Sequence, residues 1–223
     1  MKHAAVGEQP QTVGILVVDD HPIVRLGLRQ IIAQAPGLSV CCEAATAEDA
    51  IRLVRGTKVD LAIVDLSLGD VSGLELIRQL RELVPTLPVL TLSMHDEDLF
   101  AERALKAGAR GYIMKHEAVD NLVVAIRRVL GGQIYLSERA SQHLLGGLGR
   151  RDTTARSRLA RLSGRELEVF ELIGRGLATT DIARRLNVSV KTIETYRSNI
   201  RSKLDLKDAN DLIRHAVSWT EHL

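Results

Sequence analysis

The sequence predicts an α/β fold, a doubly wound five-stranded parallel sheet, followed by a small all-α domain. Three observations predict it. Residues 13–131 alternate short apolar runs with segments of helical spacing, after which strand character stops. Strands alternating with helices imply a parallel sheet covered on both faces. The charge also divides: residues 1–137 carry 14 Lys+Arg and 17 Asp+Glu (−3), and residues 138–223 carry 16 and 11 (+5). An acidic first part and a basic second part point to different partners, nucleic acid being the candidate for the second.

The expected strands are Val13–Val18, Leu38–Cys42, Leu61–Val64, Val89–Leu92 and Gly111–Ile113. Helical spacing follows each, marked by Ile23, Leu26 and Ile31, then Ala47, Ile51 and Val54, then Leu74, Ile77 and Leu80, then Ala101 and Leu105, then Leu122, Ala125, Ile126 and Val129. Five βα units are too few for an eight-fold barrel. Gly131-Gly132 ends the fifth helix. Residues 132–161 are expected as a linker, with one short helix at Ser137–Leu145 followed by glycines and an arginine-rich stretch. Residues 162–223 are expected to be wholly helical. Ser163 with Glu166 three residues on is a capping-box start. Thr180–Leu186 forms a short helix, Asn187-Val188 a turn, and Ser189 caps a long helix to about Leu204. Asp208–Trp219 is a last one.

Composition excludes several classes. Hydrophobic residues are 45% and charged residues 26%, ordinary for a globular chain. No apolar run approaches the roughly 18 residues of a membrane span, and the first eleven residues lack the apolar core of a secretory signal. The expected compartment is the cytoplasm, with no membrane partner. Six aromatics are too few for a single-strand stacking platform. Two cysteines, Cys41 and Cys42, exclude a disulfide scaffold. Neighbours in a strand face opposite ways, so this pair is expected to be poorly placed to bridge.

Asp19 and Asp20 end the first expected strand, Asp65 the third and Ser93 the fourth, and Lys115 follows the fifth. Ligands of open α/β sheets bind outside the carboxyl ends of the strands, so all five should converge on one rim. Capping of the next helix accounts for a single Asp, but not for five polar groups at matching ends. Crowded carboxylates need a cation between them, and hard oxygen donors suit Mg²⁺. Lys115 adds a positive charge and Ser93 a hydroxyl. Together they would stabilise a phosphoryl group on a carboxylate, an aspartyl-phosphate.

The short helix, turn and long helix fit a helix-turn-helix whose second helix enters the major groove of DNA. Ile182, Leu186, Val188, Ile193 and Ile200 supply its core. Lys191, Glu194, Thr195, Arg197, Ser198 and Lys203 lie on the exposed face, basic groups for phosphates and polar ones for base edges.

These residues carry a resemblance to two-component response regulators of the NarL/FixJ type, a flavodoxin-like receiver plus a LuxR-type helix-turn-helix. It rests on Val17-Val18-Asp19-Asp20-His21, Val64-Asp65-Leu66-Ser67, Thr91-Leu92-Ser93 and Gly111-Tyr112-Ile113-Met114-Lys115 in the first domain. In the second it rests on Asp181-Ile182-Ala183, Val188-Ser189, Lys191-Thr192-Ile193-Glu194 and Tyr196-Arg197. The resemblance implies that Asp65 accepts a phosphoryl group from a partner histidine kinase. It implies Mg²⁺ held by Asp20, Asp65 and the carbonyl of Ser67, with Asp19 binding through water. Ser93 and Lys115 would contact the phosphoryl oxygens, and Tyr112 would turn inward when Ser93 moves. Tyr196 would reach a DNA phosphate, and the last helix, around Leu212, Ile213, Val217 and Trp219, would pair two copies. The resemblance makes the chain a regulator rather than an enzyme, with only slow self-phosphorylation and dephosphorylation at Asp65. Two departures remove no reacting group: Leu68-Gly69 in the loop after Asp65, and His116 where many relatives have proline. A trans bond is expected before His116. One rival is a phosphotransferase or phosphatase with an Asp nucleophile, but Asp65-Leu66-Ser67 lacks a second acid. The other is a ligand-sensing regulator, which would want an apolar cavity.

Overall fold

A computed structural model describes residues 12–69, 71–149, 159 and 161–220 of the chain. Most of the arginine-rich stretch and Asp70 lie outside the described residues. The sheet strands are β1 (Val13–Val18), β2 (Leu38–Ala44), β3 (Leu61–Asp65), β4 (Val89–Ser93) and β5 (Gly111–Met114). They run parallel in the order β2-β1-β3-β4-β5. The α/β helices are α1 (Pro22–Ala33), α2 (Ala47–Gly56), α3 (Gly73–Leu83), α4 (Glu97–Ala107) and α5 (Ala118–Leu130). Alternation along each strand explains the layers. Ile15, Val17, Ile63, Leu90 and Ile113 meet Leu28 and Ile32 of α1 and Leu122, Ile126 and Val129 of α5. Leu16, Val18, Ala62 and Val64 point the other way, onto Ala50 of α2, Ile77 and Leu80 of α3, and Phe100 and Ala104 of α4.

Caps set the helix starts. Pro22 opens α1, the Thr46 hydroxyl accepts Asp49 N–H for α2, and the Ser72 hydroxyl accepts Leu74 N–H for α3. The peptide before His116 is trans. Between Asp65 and α3 the chain makes a small antiparallel ribbon, Ser67–Leu68 against Val71–Ser72. Its strands are too short to show a period in sequence.

Strand β2 differs from expectation in a way that matters. Ile15 pairs with Val40 but Leu16 pairs with Cys42, so Cys41 is an extra, bulged residue. The expectation that the two cysteines face apart therefore fails. The bulge cancels one step of the alternation, and the Sγ atoms stand 3.5 Å apart.

After α5 the chain lies along β5. Tyr112 N–H donates to Tyr135 O, and Tyr135 N–H donates to Arg110 O. This covers an otherwise bare sheet edge. The next helix, α6 (Glu138–Gly149), continues through the glycines expected to begin an irregular linker, and packs on α4.

The all-α part contains α7 (Gly164–Gly174), α8 (Thr179–Arg185), α9 (Val190–Leu204) and α10 (Ala209–Thr220). The capping box at α7 is closed in both directions, Glu166 N–H to Ser163 Oγ at 3.3 Å and Ser163 N–H to Glu166 Oε2 at 2.7 Å. Asn187 takes φ 53° in the α8–α9 turn, and Ser189 caps α9 by accepting Thr192 N–H at 3.0 Å. Leu167, Phe170, Ile182, Leu186, Ile193, Ile200, Leu204 and Leu212 form the core.

Candidate functional site

The parallel order brings the carboxyl ends of β1, β3, β4 and β5 to one rim. Asp65 closes β3 and is 2% exposed; Asp19, just past β1, is 1% exposed. The Lys115 ammonium, just past β5, stands 2.7 Å from Asp65 Oδ2 and 2.7 Å from Asp19 Oδ2. One cation thus bridges two buried carboxylates. Burial pushes the Asp65 carboxyl up to about 6; Lys115 opposes that and the Asp19 charge adds to it. Burial works against the Lys115 charge, but Asp65 and Asp19 outweigh it and hold that pKa above its usual value.

Asp20 joins from the rim's outer side, with His21 Nδ1 2.6 Å from Asp20 Oδ1 and 3.2 Å from Asp19 Oδ1. Oxygen or nitrogen atoms of Asp19, Asp20, His21 and Asp65 lie within 4.8 Å of one another. Asp19 Oδ2 and Asp20 Oδ1 are buried without a well-directed hydrogen bond, even though Lys115 and His21 stand at ion-pair distance. Hard oxygens with spare lone pairs suit a small divalent cation.

Ser93, Ser67 and Tyr112 meet one step away, on His95. His95 N–H donates to Ser93 Oγ at 3.1 Å, and the Tyr112 hydroxyl donates to His95 O at 2.9 Å. His95 Nε2 is 2.8 Å from Ser67 Oγ, and its ring stacks on Phe100 at 4.7 Å. The Tyr112 ring is wholly buried, already inward.

The far side of His95 belongs to the second domain. Its Nδ1 lies 2.7 Å from Glu171 Oε2 on α7, and Nε2 lies 3.7 Å from Glu168 Oε1. Burial lowers the His95 pKa, but Glu171 and Glu168 outweigh it and the net shift is upward. Arg165 pairs with Glu168 at 2.5 Å and reaches Val71 O on the ribbon at 3.4 Å. From α4, Arg103 donates to the carbonyls of Leu162 and Leu159. Glu168 and Glu171, 0% and 1% exposed, are buried because the first domain covers their helix. No local spacing announces such a contact, since His95 and Glu171 are 76 residues apart.

On α9, Lys191, Glu194, Thr195, Ser198 and Lys203 are exposed, whereas Tyr196 and Arg197 are half-buried. Lys203 is engaged, 2.6 Å from Glu166 Oε2 of the capping box, and Arg197 Nε lies 3.9 Å from Glu194 Oε2. Among the described residues the α9 face is exposed, and α7 is the helix that meets α3 and the ribbon of the first domain. On α10, Leu212 and Ala216 face inward, and Ile213 is the large apolar residue left exposed. Leu212 is thus core, where sequence reading had it in the pairing helix.

The chain matches the family described as "Response regulator receiver domain" over residues 15–127, and "Bacterial regulatory proteins, luxR family" over residues 160–216. It is 35% identical over 216 residues to "Response regulator UvrY" of Escherichia coli (strain K12), covering 95% of this chain and 98% of that one. The chain belongs to the response regulators. This response regulator is also 34% identical over 202 residues to "Nitrate/nitrite response regulator protein NarL" of the same strain, covering 90% and 92% of the two chains. Among solved structures it is similar to RcsB of Salmonella enterica serovar Typhimurium bound to a promoter in the presence of a phosphomimetic. The TM-score there is 0.62 at 27% identity, covering 93% of this chain and 99% of that one. A LuxR-family response regulator from Aurantimonas gives 0.59 at 38% identity over 62% of this chain and 99% of that one. The chain is therefore a regulator with a receiver and a LuxR-type DNA-binding domain, not a turnover enzyme. Among the described residues no helix is long and apolar enough to cross a membrane.

Proposed function

We propose that this response regulator takes a phosphoryl group on Asp65 from a histidine kinase in the cytoplasm, and then acts on transcription as a DNA-bound homodimer. The receiver spans residues 13–131, the linker 132–161 and the DNA-binding domain 162–223; the two family matches support these bounds. The observation that carries the reading is Lys115 held between Asp65 and Asp19 at 2.7 Å from each. In the transfer, an Asp65 oxygen attacks phosphorus, the P–N bond to the kinase imidazole breaks, and that imidazole keeps the electron pair. Lys115 can follow the charge onto the new phosphoryl oxygens, and Ser93 can donate to one of them. Asp19, Asp20, Asp65 and the Ser67 carbonyl would hold Mg²⁺. When bound, the ion would offset the charge between carboxylate and phosphoryl group. The same rim supports slow self-phosphorylation from a small phosphodonor and slow hydrolysis. Lys191, Tyr196, Arg197 and Lys203 would serve DNA phosphates; Glu194, Thr195 and Ser198 would serve base edges. Asp-nucleophile turnover and small-molecule sensing, the two rivals, gain no support from either family match.

The test is intact mass after acetyl phosphate and Mg²⁺. One phosphoryl adduct is expected on the wild type and none on Asp65→Asn. Full labelling of Asp65→Asn at another residue would overturn the assignment.

His95 supplies the route outward. A phosphoryl group that draws the Ser93 hydroxyl toward itself takes it from His95 N–H, on the residue that also holds Glu171. Loss of that anchor favours release of α7 and of the domain it carries, a shift of population between docked and freed arrangements. Because the α9 face is open while α7 is docked, release acts on how two output domains are placed rather than on uncovering the reading helix.

A further inference from the structure

We propose that Cys41 and Cys42 form a chelating dithiol on the receiver's edge strand, a covalent site for a three-coordinate thiophile of the trivalent-arsenical class. The bulge at Cys41 turns both thiols to one side and sets Sγ to Sγ at 3.5 Å. Two bonds of about 2.3 Å meeting between a right angle and the tetrahedral angle span about 3.3–3.8 Å. The pair therefore has the bite for one bridging atom. A linear two-coordinate ion would need about 4.6 Å by the same bond length.

Competing uses fit less well. A direct disulfide joins residues whose Cα atoms are usually about 4.4–6.8 Å apart, whereas adjacent residues across a trans peptide hold theirs at about 3.8 Å. A tetrahedral metal wants four protein or water ligands. Among the described residues, the one group of three or more His, Cys, Asp or Glu side chains close enough to hold an ion is the acidic rim, not this pair. A thiophile that brings its own third substituent needs two sulfurs and nothing more.

Space and access agree. A Cβ on Gly14 of β1 would lie 3.3 Å from both Cβ and Sγ of Cys41, so glycine there leaves the thiol room to sit beside its neighbour. Cys41 is exposed, and Cys42 is half-buried against the core beneath β2. Burial first, then the hydrogen bond and charge of Cys41, push the Cys42 thiol up to about 12. Cys42 keeps its proton at neutral pH, so attack begins at the exposed Cys41 sulfur and Cys42 closes the ring. With an aryl arsenoxide, two As–S bonds form and the As–O bonding breaks. The oxygen leaves as water with both thiol protons, and arsenic stays trivalent. The register sets Cys42 beside Leu16, in the middle of β1 rather than at the end that leads to Asp19 and the phosphoacceptor rim.

The test uses the full chain, kept reduced with a phosphine, and one equivalent of phenylarsine oxide. Intact mass should show one adduct with loss of one water, and a thiol count should fall from two to none. The adduct should survive excess 2-mercaptoethanol and be reversed by dithiothreitol. The second As–S bond forms within the molecule, so Cys41→Ser and Cys42→Ser should each hold the reagent about a hundredfold less tightly in mercaptoethanol competition. Two free thiols after titration, or single variants that retain the reagent as the wild type does, would overturn the proposal.

Discussion

At the residue scale, His95 gathers what the sequence distributes over several strands. Ser93 receives its N–H, Tyr112 donates to its carbonyl, and Ser67 and Glu171 take its two ring nitrogens. Tyr112→Phe keeps the ring and loses the hydroxyl, which donates to His95 O at 2.9 Å and also meets the Ser93 side chain. It leaves a buried carbonyl without that donor, so urea unfolding of the receiver should show a loss of about 1 kcal/mol. An unchanged midpoint and slope would mean that the hydroxyl bond contributes nothing. The acidic rim itself was legible because strand ends in a parallel sheet are a geometric address: Asp19, Asp65 and Lys115 could be placed without knowing any helix orientation. For His95 only its place beside Ser93 near the site mouth was legible, because its meaning comes from a partner on another domain. The cysteines were misread for a different reason. Period-2 alternation holds only while each residue takes one step of the ladder, and the bulge at Cys41 adds a step that no residue type announces.

At the scale of elements, α7 shows how one helix end can serve two purposes. Its capping box is tied to α9 by Lys203, 2.6 Å from Glu166 Oε2. Burial pushes the Glu166 carboxyl up, but Lys203 and Ser163 outweigh it and hold the pKa below the usual carboxylate value. A depressed native pKa contributes stability that is present above the unfolded value and lost as pH falls through the native one. Glu166→Gln should therefore destabilise the DNA-binding domain at pH 7, and the gap to wild type should close as pH falls below about 4. A gap that persists at pH 2 would assign the loss to shape rather than charge. Ser163→Ala should cost about 1 kcal/mol from the same cap. The box was readable from Ser163 and Glu166 alone, and α9 from Ser189 to Leu204, since caps and helical spacing are local signals. The docked face of α7 is not local. Gly164 sits so close to the ribbon that a Cβ would stand 2.4 Å from Ser72 Oγ and 3.1 Å from Leu74 Cδ1. Gly164→Ala should push the domains apart while leaving each one's secondary structure intact. Small-angle scattering should read this as a larger radius of gyration, and an unchanged radius would refute the close approach.

On the scale of the whole molecule, the junction between domains is built from buried charge, which gives little net stability when whole and costs much when broken. Removing one partner of such a pair costs about 3–5 kcal/mol, because the other charge stays buried. Glu168 Oε1 and Arg165 Nε are already without hydrogen-bond partners. A small displacement of His95 is therefore enough to shift the balance, which suits an element that must respond to one phosphoryl group. His95→Ala and Glu171→Gln should each free the DNA-binding domain in unmodified protein, seen as faster proteolysis after α6, with Asp65 still labelled by acetyl phosphate. Wild-type proteolysis in both variants would remove this contact from the switch. DNA is where the two arrangements must differ in outcome. Lys191 is exposed on α9 and free to meet a phosphate in the docked form, whereas Arg197 must leave its half-buried place beside Glu194 and Lys203 its pair with Glu166. Each phosphate contact releases counterions and is blind to sequence. Lys191→Ala should then lower the salt slope of DNA binding by about one in both unmodified and phosphorylated protein. Lys203→Ala should lower the slope less, because that ammonium gains a phosphate only by giving up Glu166. Glu194→Ala should change base preference at one position by roughly 1–3 kcal/mol and leave the slope nearly unchanged. Equal slopes for wild type and Lys191→Ala would take α9's exposed end out of the interface, and with it the reading of that helix as the one that enters the groove.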